Sequence, residues 1–566
     1  MEAPAPGHAE ARAEAPAPGA AEPAFAEASE DPHPAAEGPE EAHGSEAEAG
    51  EHGEHGEHGE HGEEAGAEGE HEEEEDEELE HIDMSIGTML LGSIAFQMGL
   101  FYLLNFPDAD IKRGSWKVLS TTISIFVAVL IFHGVIEIVE AAMELMLEGL
   151  ELPGPAEDLI DTVISSALVI AYLVIMHLVI GAFSGAACGR DEEDASEQEI
   201  NARTGETKQA RRRRLMKSWA LLLSHTTAFA IIFWGARMQS SEWYRAEPWR
   251  CYLPVVYVLI GQFGAFRFSD YIRSLLSKNA SREARKVWDE EAEEAETEIA
   301  FISVSFLIVQ ATRYALTGYM PNAHGVEEPP HKHSVDKIAA LAGIGTGFTV
   351  LTAVMVFGIA SQANAKRRNS RVSLADVNFE SHAGLDPFSV YLERWYRTIP
   401  LILATSSGWC WLFAAKWAQY DLPVVAGLAF SPNSTTQCVA LALFISMVSF
   451  LLMLVLDCIA DHKMTGPVTD VTIRALIDSL PLFVGFTWEQ SFSRALEGFA
   501  ELSAPLGHWY PKIMPLAFAL VVSMIVVPAW RAYILKRSME LEEENELKNE
   551  EQSSEGSGYT TFSESD

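Results

Sequence analysis

Cysteine is scarce in this chain, and its scarcity excludes two kinds of small stabilised domain. The 566 residues contain five cysteines, at scattered positions and without a CxxC pair. Neither a zinc knuckle nor a disulfide framework is therefore indicated. Cys251 and Cys438 fall at the same end of predicted membrane spans, so one bridge between them stays open as an alternative.

Enzyme motifs and targeting motifs are also missing. The sequence has no GxSxG, GxxxxGK[ST], HExxH or Rossmann fingerprint, the spacings that position a nucleophile, a phosphate or a metal ion. No catalytic residue or cofactor is indicated, and an intramembrane enzyme is only a minor alternative. The first 25 residues lack the basic and then apolar pattern of a signal sequence. No apolar run carries Arg or Lys at every third position, which argues against a voltage sensor.

Basic residues are few compared with acidic ones. The chain has 39 Lys and Arg against 82 Asp and Glu, a net charge of -43, yet 48% of its residues are hydrophobic. Acidic and apolar residues are segregated along the chain. Residues 1–83 consist mainly of Ala, Glu, Gly, Pro and His, which bury too little apolar surface to offset the entropy of ordering. We therefore predict that 1–83 and the acidic tail 536–566 are disordered, and we expect no nucleic-acid partner.

Long apolar runs fill the rest of the chain. A helix needs about 20 apolar residues to cross the hydrocarbon of a bilayer, and eleven runs have this length. They lie at 84–106, 117–139, 159–183, 216–238, 252–274, 298–319, 337–361, 397–418, 436–458, 472–495 and 512–535. The sequence therefore predicts an all-α, polytopic helical membrane protein of about eleven transmembrane helices, with the lipid bilayer as its partner.

Two similar stretches indicate an internal repeat. Gln310 and Gln490 fall in register without gaps, and Gln239 and Gln419 keep the same spacing. We interpret 216–361 and 397–535 as two copies of a four-helix unit, and Gln97 places 84–183 as a partial third copy. Duplicated helical units are common in transporters, whose sites lie between the repeats. The charged loop 184–215 and the basic loop 362–396 connect the three segments.

Basic residues are concentrated in alternate loops, which predicts the orientation. The positive-inside rule places the C-terminus in the cytoplasm, and an odd number of spans then places the N-terminus outside or in a lumen. Asn433 starts a glycosylation sequon on the outer side, and Asn279 starts another on the inner side. Only Asn433 should therefore be glycosylated.

Two charged segments lie on the inner side. Residues Arg211, Arg212, Arg213 and Arg214 precede a span, where they can contact anionic lipid headgroups or only fix the orientation, which is the more common role. Residues 281–298 are predicted to form a helix capped by Ser281 that continues into the next span and projects into the cytoplasm as a charged rod.

The N-terminal tail contains four Glu-His-Gly units. Their imidazoles, on His52, His55, His58 and His61, can bind Zn or Cu ions weakly. Such tracts more often arise as low-complexity sequence without a ligand. The spans themselves lack the paired His and acidic spacings of a metal pathway, so the tail alone does not indicate a zinc transporter.

Ionisable residues within the spans are the better functional candidates, because an unpaired charge in a membrane costs several kcal/mol. The candidate intramembrane polar site consists of His225, Arg313, Glu489 and Arg494. Glu489 lies deep in its span, and we expect it to face the interior and to pair with Arg313 or Arg494.

Two further features of the spans have structural interpretations. Arg267 and Asp270 stand three residues apart on one helix and can form a local pair. The glycine-rich run 343–347 lies within an apolar helix pattern, so it favours a close-packed helix face over an ion filter.

Two functions fit these observations. A transporter or channel for a small solute or ion fits the spans, the repeats and the buried ionisable groups. A non-transporting membrane scaffold or a receptor-like protein fits the missing transport motif and the charged tails. A cavity between the repeats lined by His225, Arg313 and Glu489 would favour transport, and a solid apolar bundle would favour the scaffold.

Overall fold

The computed structural model describes residues 86–147, 154–186, 206–327, 329–369, 387–421, 434–460, 467–503, 505, 507 and 509–558. Helices make up nearly all of these residues, which confirms the all-α fold class. In chain order they are α1 (Ile86–Leu104), α2 (Ala109–Leu147), α3 (Gly154–Ser184), α4 (Lys208–Ser240), the single turn α5 (Glu242–Arg245), α6 (Leu253–Leu276), α7 (Arg282–Thr317), α8 (Val335–Asn369), α9 (Pro387–Asp421), α10 (Thr435–Ala460), α11 (Pro467–Leu502), α12 (Tyr510–Ala529) and α13 (Leu535–Gly558).

Ten helices of the described residues are long and apolar enough to cross a membrane. The chain is therefore a multi-pass membrane protein in contact with a lipid bilayer. The predicted run 472–495 lies in α11, which is only partly described at the level of side chains and stands outside this count. Val484, Trp488 and Glu489 of this helix are buried among other helices.

Five helices run in the same direction through the bundle, namely α2, α4, α7, α9 and α11. On α2 and α11, Thr122 approaches the Pro481 carbonyl and His133 approaches Glu489. Between α7 and α9, and between α4 and α7, later residues of one helix likewise contact later residues of the other. We call the end where these helices finish the loop end, because the connection 318–334 lies there. The opposite end, where α4 begins with Arg211 to Arg214, is the basic end.

Aromatic side chains fill the centre of the bundle. Trp409 is fully buried on α9 and contacts Phe306, Phe413, Phe483 and Phe486 with ring-centroid distances of 4.8–6.1 Å. The Trp409 indole N–H donates to Ser305 Oγ at 3.1 Å. Because its one polar atom is paired, this large side chain can be buried without a desolvation penalty for the N–H group.

The predicted helix at 281–298 is confirmed, but the prediction that it projects as a free rod is wrong. The Ser281 side chain accepts a hydrogen bond from the Ala284 N–H and caps α7. Ala284, Trp288 and Ala292 are buried, and Trp288 packs so closely on α3 that a Cβ at Gly181 would lie 2.6 Å from it. An apolar stripe thus attaches this charged segment to the bundle.

The C-terminal segment is described as far as residue 558. A helix covers 535–558, and the disorder predicted for 536–566 stays a prediction. Ion pairs one turn apart, from Lys536 and Arg537 to Glu540, lie along the first turns of α13, and such pairs stabilise helices. The N-terminal tail 1–83 and the last eight residues lie outside the described residues.

The proposed Cys251–Cys438 bridge is wrong, because both cysteines are buried free thiols. The internal repeat remains a prediction. Gln239 donates to the Cys251 and Leu307 carbonyls, and Gln419 donates to the Gln437 carbonyl, so the two glutamines make similar contacts.

The partial third copy of the repeat has weaker support. Gln97 is exposed, whereas Gln310 is fully buried. These two glutamines therefore have different surroundings in spite of their shared register.

Candidate functional site

A cavity of about 200 Å³ lies near the loop end of the bundle. Helices α2, α9, α10, α11 and α12 and the connection 318–334 line it. Its ionisable side chains include both acids and bases. They are His133, Glu137, His324, Lys416, Cys438, Glu489, Arg494 and Glu497. We call this space the loop-end cavity.

A chain of polar contacts crosses the loop-end cavity. His133 Nδ1 lies 2.9 Å from Glu489 Oε1, and the Ser493 hydroxyl donates to the same oxygen at 2.6 Å. On the other side of the ring, His133 Nε2 lies 3.4 Å from His324 Nδ1. Glu489 is fully buried, and its second oxygen, Oε2, has no hydrogen-bond partner among the described residues. The cavity therefore has a buried acceptor with unused capacity.

The connection 318–334 brings His324 into the cavity, and Glu327 fastens this connection to the bundle. Arg313 Nη2 and His333 Nε2 each lie 2.7 Å from the Glu327 carboxylate, and the Trp417 indole N–H donates to it at 3.1 Å. Arg313 also donates to the Gly325 carbonyl at 3.0 Å. Burial opposes ionisation of Glu327, but the His333 and Arg313 contacts prevail and lower its pKa to about 2.

A second cavity, of about 550 Å³, lies towards the basic end. Helices α2, α9 and α11 line it as well, joined by α4 and α7. His225 is buried on its wall, with Nδ1 3.2 Å from Ser124 Oγ and Nε2 3.6 Å from Glu298. The Ser224 hydroxyl donates to Glu298 at 2.7 Å. We call this space the basic-end cavity.

Bulky side chains separate the two cavities, and we call them the aromatic layer: Phe229, Phe306, Trp409 and Phe486. Three of them each stand four positions after a residue that lines the basic-end cavity: Phe229 after His225 on α4, Phe306 after Ile302 on α7, and Phe486 after Leu482 on α11. Phe229 and Phe486 stack with centroids 6.2 Å apart and an interplanar angle of 2°. Phe486 also lines the loop-end cavity. Along α11 the two linings are four positions apart, at Leu482 and Phe486, which is about 6 Å of helix. Along α9 they are farther apart, at Leu401 and Lys416, so the barrier is thinnest at α11.

A buried ion network lies beside the basic-end cavity and was missed by the sequence analysis. Glu296 is fully buried, with one oxygen 2.9 Å from Arg273 and the other 2.7 Å from Arg394. His177 lies 3.4 Å from the same carboxylate. The network joins α3, α6, α7 and α9. It was missed because Glu296 stands in an acid-rich sequence that resembles a solvated helix face.

The expected partners of Glu489 are wrong. Arg313 pairs with Glu327, and Arg494 pairs with Glu497 at 2.6 Å. Glu489 pairs instead with His133, which lies on α2 and was not among the sequence candidates. A single histidine within an apolar run carries no signal of its partner, because the approach of α2 to α11 is a tertiary contact.

The candidate polar site of four residues is divided by the fold. Glu489 and Arg494 line the loop-end cavity, and His225 lines the basic-end cavity. Arg313 lines neither of them and holds the connection 318–334 instead. The single cavity lined by His225, Arg313 and Glu489 that would have favoured transport is not found among the described residues, which form two cavities instead. His133 and His324, which line the loop-end cavity, come from outside the predicted set.

The local pair of Arg267 and Asp270 is only marginal. Their charged atoms lie 3.9 Å apart, and Arg267 is 45% exposed. Asp270 makes a closer contact with Arg273, one of the two arginines that hold Glu296. Sequence spacing allowed either partner, and burial of Arg273 decided between them.

The remaining sequence candidates are a glycosylation site, the tail histidines and the arginine run before α4. Asn433 and the tail histidines His52, His55, His58 and His61 are outside the described residues. Within the run Arg211 to Arg214, Arg214 pairs with Glu206 and Arg212 donates to the Phe183 carbonyl. Arg211 and Arg213 are exposed, so contact with anionic lipid remains a prediction for them.

The fold and the two cavities define a helical multi-pass membrane protein with ionisable groups inside the bundle. No protein-family model, curated protein or solved structure matches the chain. Any statement about its activity must therefore come from the geometry of the cavities.

Proposed function

We propose that the protein is a membrane transporter for a small polar solute or ion. One observation carries the proposal: two cavities enter the same bundle from opposite ends and share α2, α9 and α11 as walls. A transporter that opens alternately to the two sides needs such a pair of spaces with a thin barrier between them. A scaffold needs neither space.

The polar lining of the cavities supports the proposal. Buried ionisable groups in a membrane are expensive, and they mark solute or ion pathways when they face a water-filled space. Glu489 and His133 provide such groups on the loop-end side, and Glu298 and His225 provide them on the basic-end side. The solute path that we propose runs between these two pairs, through the aromatic layer.

The direction of the path follows from the charge of the loops. Arg211 to Arg214 lie at the basic end, so the positive-inside rule assigns this end to the cytoplasm. In our proposal the loop-end cavity then faces the outside or a lumen, and the C-terminus is cytoplasmic. The membrane's identity within the cell has no bearing on this path.

Removal of the barrier tests the proposal. Phe486→Ala would shorten the aromatic layer and join the two cavities. We expect this variant, reconstituted in planar bilayers, to conduct ions several-fold more than the unchanged protein. Phe263→Ala is the matched control, because Phe263 packs on Tyr391 and Trp395 of α9 and lines neither cavity. Equal conductance of both variants and the unchanged protein would support a scaffold instead.

A further inference from the structure

Two imidazole nitrogens converge inside the loop-end cavity. His133 Nε2 and His324 Nδ1 are 3.4 Å apart, and their rings are nearly perpendicular, with an interplanar angle of 78° and centroids 5.0 Å apart. One ring comes from α2 and the other from the connection 318–334. The two residues are 191 positions apart in sequence, so their convergence is a tertiary feature.

We propose that His133 and His324 bind a divalent transition-metal ion, for which Zn²⁺ is the best fit. Zn–N bonds of about 2.0–2.1 Å in a tetrahedral arrangement separate two ligand nitrogens by about 3.3–3.4 Å. The separation in the structure has this value. A stronger neutral hydrogen bond between two nitrogens would bring them closer, to about 3.0 Å.

Glu489 prepares His133 for this role as a positioning residue. Its carboxylate accepts the Nδ1 proton at 2.9 Å, so the Nε2 lone pair points towards His324. A carboxylate behind a histidine fixes the tautomer and raises its basicity in many metal sites. His324 binds through Nδ1 when its proton is on Nε2. The metal ion thus replaces one weak hydrogen bond between the rings.

The rest of the coordination shell is open. Glu137 and Glu497 line the same cavity, but no third metal-ligating side chain among the described residues converges with the two nitrogens. Two nitrogens are in place, and water takes the remaining positions. Such an open site binds its ion exchangeably, unlike a closed structural zinc site.

Another group of acids does not compete with this assignment. Asp108, Asp110 and Asp457 form the one group of three or more convergent metal-ligating side chains within the described ranges. They lie near the membrane surface at the basic end and include no histidine. Acidic groups of this kind are common on protein surfaces without an ion.

Metal binding to the full chain tests the proposal directly. All histidines before residue 84 are first changed to Gln, so that the tail cannot contribute. We expect the purified protein to bind one Co²⁺ with the intense visible absorption of tetrahedral coordination, and Zn²⁺ to displace it. His133→Asn and His324→Asn should each weaken binding at least tenfold, and Glu489→Gln should weaken it roughly 10–100-fold, as loss of an outer carboxylate does in other sites.

Two further variants make the result decisive. His177→Asn removes a histidine that contacts Glu296 and Ser269 away from this cavity, and it should bind Co²⁺ like the parent protein. His324→Cys keeps a ligand at the same position, so it should retain Zn²⁺ and add a cobalt–thiolate absorption band in the near ultraviolet. This gain of signal does not depend on the stability of the Asn variants.

The opposite results would overturn the site. A parent protein without the cobalt spectrum, or His133→Asn and His324→Asn variants that bind as tightly as His177→Asn, would show that the two rings are only a hydrogen-bonded pair. The measurement concerns binding alone. It therefore keeps its meaning if Phe486→Ala shows that the protein does not transport.

Discussion

Single residues in this bundle show how a charge is accommodated inside a membrane protein. Glu296 lies between two arginines, whereas Glu489 uses one histidine and one serine. The first arrangement neutralises a carboxylate with two permanent cations and stabilises the packing of four helices. The second leaves one carboxylate oxygen unused beside a cavity. The difference in pairing separates a structural carboxylate from a functional candidate.

Glu296→Gln should destabilise the protein strongly. The substitution leaves the buried guanidinium of Arg273, which is 3% exposed, without its interior counter-charge, and breaking a buried pair costs about 3–5 kcal/mol. Thermal unfolding in detergent measures the loss. Glu393→Gln is the control, since Glu393 is exposed on α9 and pairs with Arg397 one turn away.

A double substitution adds a second check on this network. Glu296→Gln together with Arg394→Gln should recover part of the loss, because one of the two uncompensated charges is removed. A Glu296→Gln protein that melts like the control would contradict the role of this carboxylate.

At the scale of helices and their connections, a glycine-rich run and one buried carboxylate have consequences for stability. The glycine-rich run in α8 favoured a close-packed face, and the structure shows close packing at one of its three glycines. A Cβ at Gly345 would lie 2.9 Å from Cys410 Cβ and 3.2 Å from the Ser407 carbonyl, whereas Gly343 and Gly347 have nothing within 4 Å. The run thus contributes one contact point between α8 and α9.

Gly345→Ala and Gly347→Ala form a matched pair in the same helix. Gly345→Ala should lower the free energy of unfolding by about 1–3 kcal/mol, because the new methyl group pushes α8 away from α9. Gly347→Ala should be neutral or stabilising by up to about 1 kcal/mol, since alanine favours a helix. Denaturation of the two purified variants side by side gives the comparison, and equal stability would mean that α8 and α9 are not in contact at Gly345.

The connection 318–334 depends on Glu327, and this dependence predicts a response to pH. The pKa of Glu327 falls from 4.5 to about 2 on folding. A lowered pKa stabilises the folded state above the ordinary value, by about 3 kcal/mol for such a shift, and this contribution disappears as the pH falls from about 4.5 towards 2. The melting temperature of Glu327→Gln should therefore lie below that of the unchanged protein at pH 6.

Acid should abolish the difference between these two proteins. Their melting curves should converge as the pH approaches 2, where the unchanged carboxylate is protonated as well. A difference that stays constant from pH 6 to pH 2 would show that the effect of Glu327→Gln does not come from its charge.

The orientation of the whole molecule in the membrane can be tested at its two glycosylation sequons. Asn279 lies in the short 3₁₀ turn Ser277–Asn279 at the basic end. Asn433 is outside the described residues, and the next described helix, α10, begins at Thr435. The distribution of Lys and Arg predicts that only the loop end is exposed to the glycosylation machinery. Expression in a glycosylating cell, followed by removal of the glycans, should shift the gel mobility of the unchanged protein and of Asn279→Gln, but not of Asn433→Gln. A shift that is lost only with Asn279→Gln would invert the orientation.

Sequence by itself determined the class of this protein, because a long apolar run can be stable as a membrane-crossing helix whatever surrounds it. The helical spans and the Ser281 cap follow from such local patterns, and the orientation given by the charged loops stays a prediction. Local patterns failed at the start of α7: residues 281–298 pack on the bundle, because the buried Trp288 and its neighbours supply a stabilisation that composition did not show.

Only the tertiary structure decided the partners of the buried charges. The sequence offered Arg313 and Arg494 as partners for Glu489. The carboxylate contacts His133 instead, because α2 lies beside α11. His324 reaches the same cavity because Glu327, Arg313 and His333 hold its connection in place. Charge pairing inside a membrane is determined by which helices lie side by side, and that arrangement follows from the packing of the whole aromatic core rather than from any one stretch of sequence.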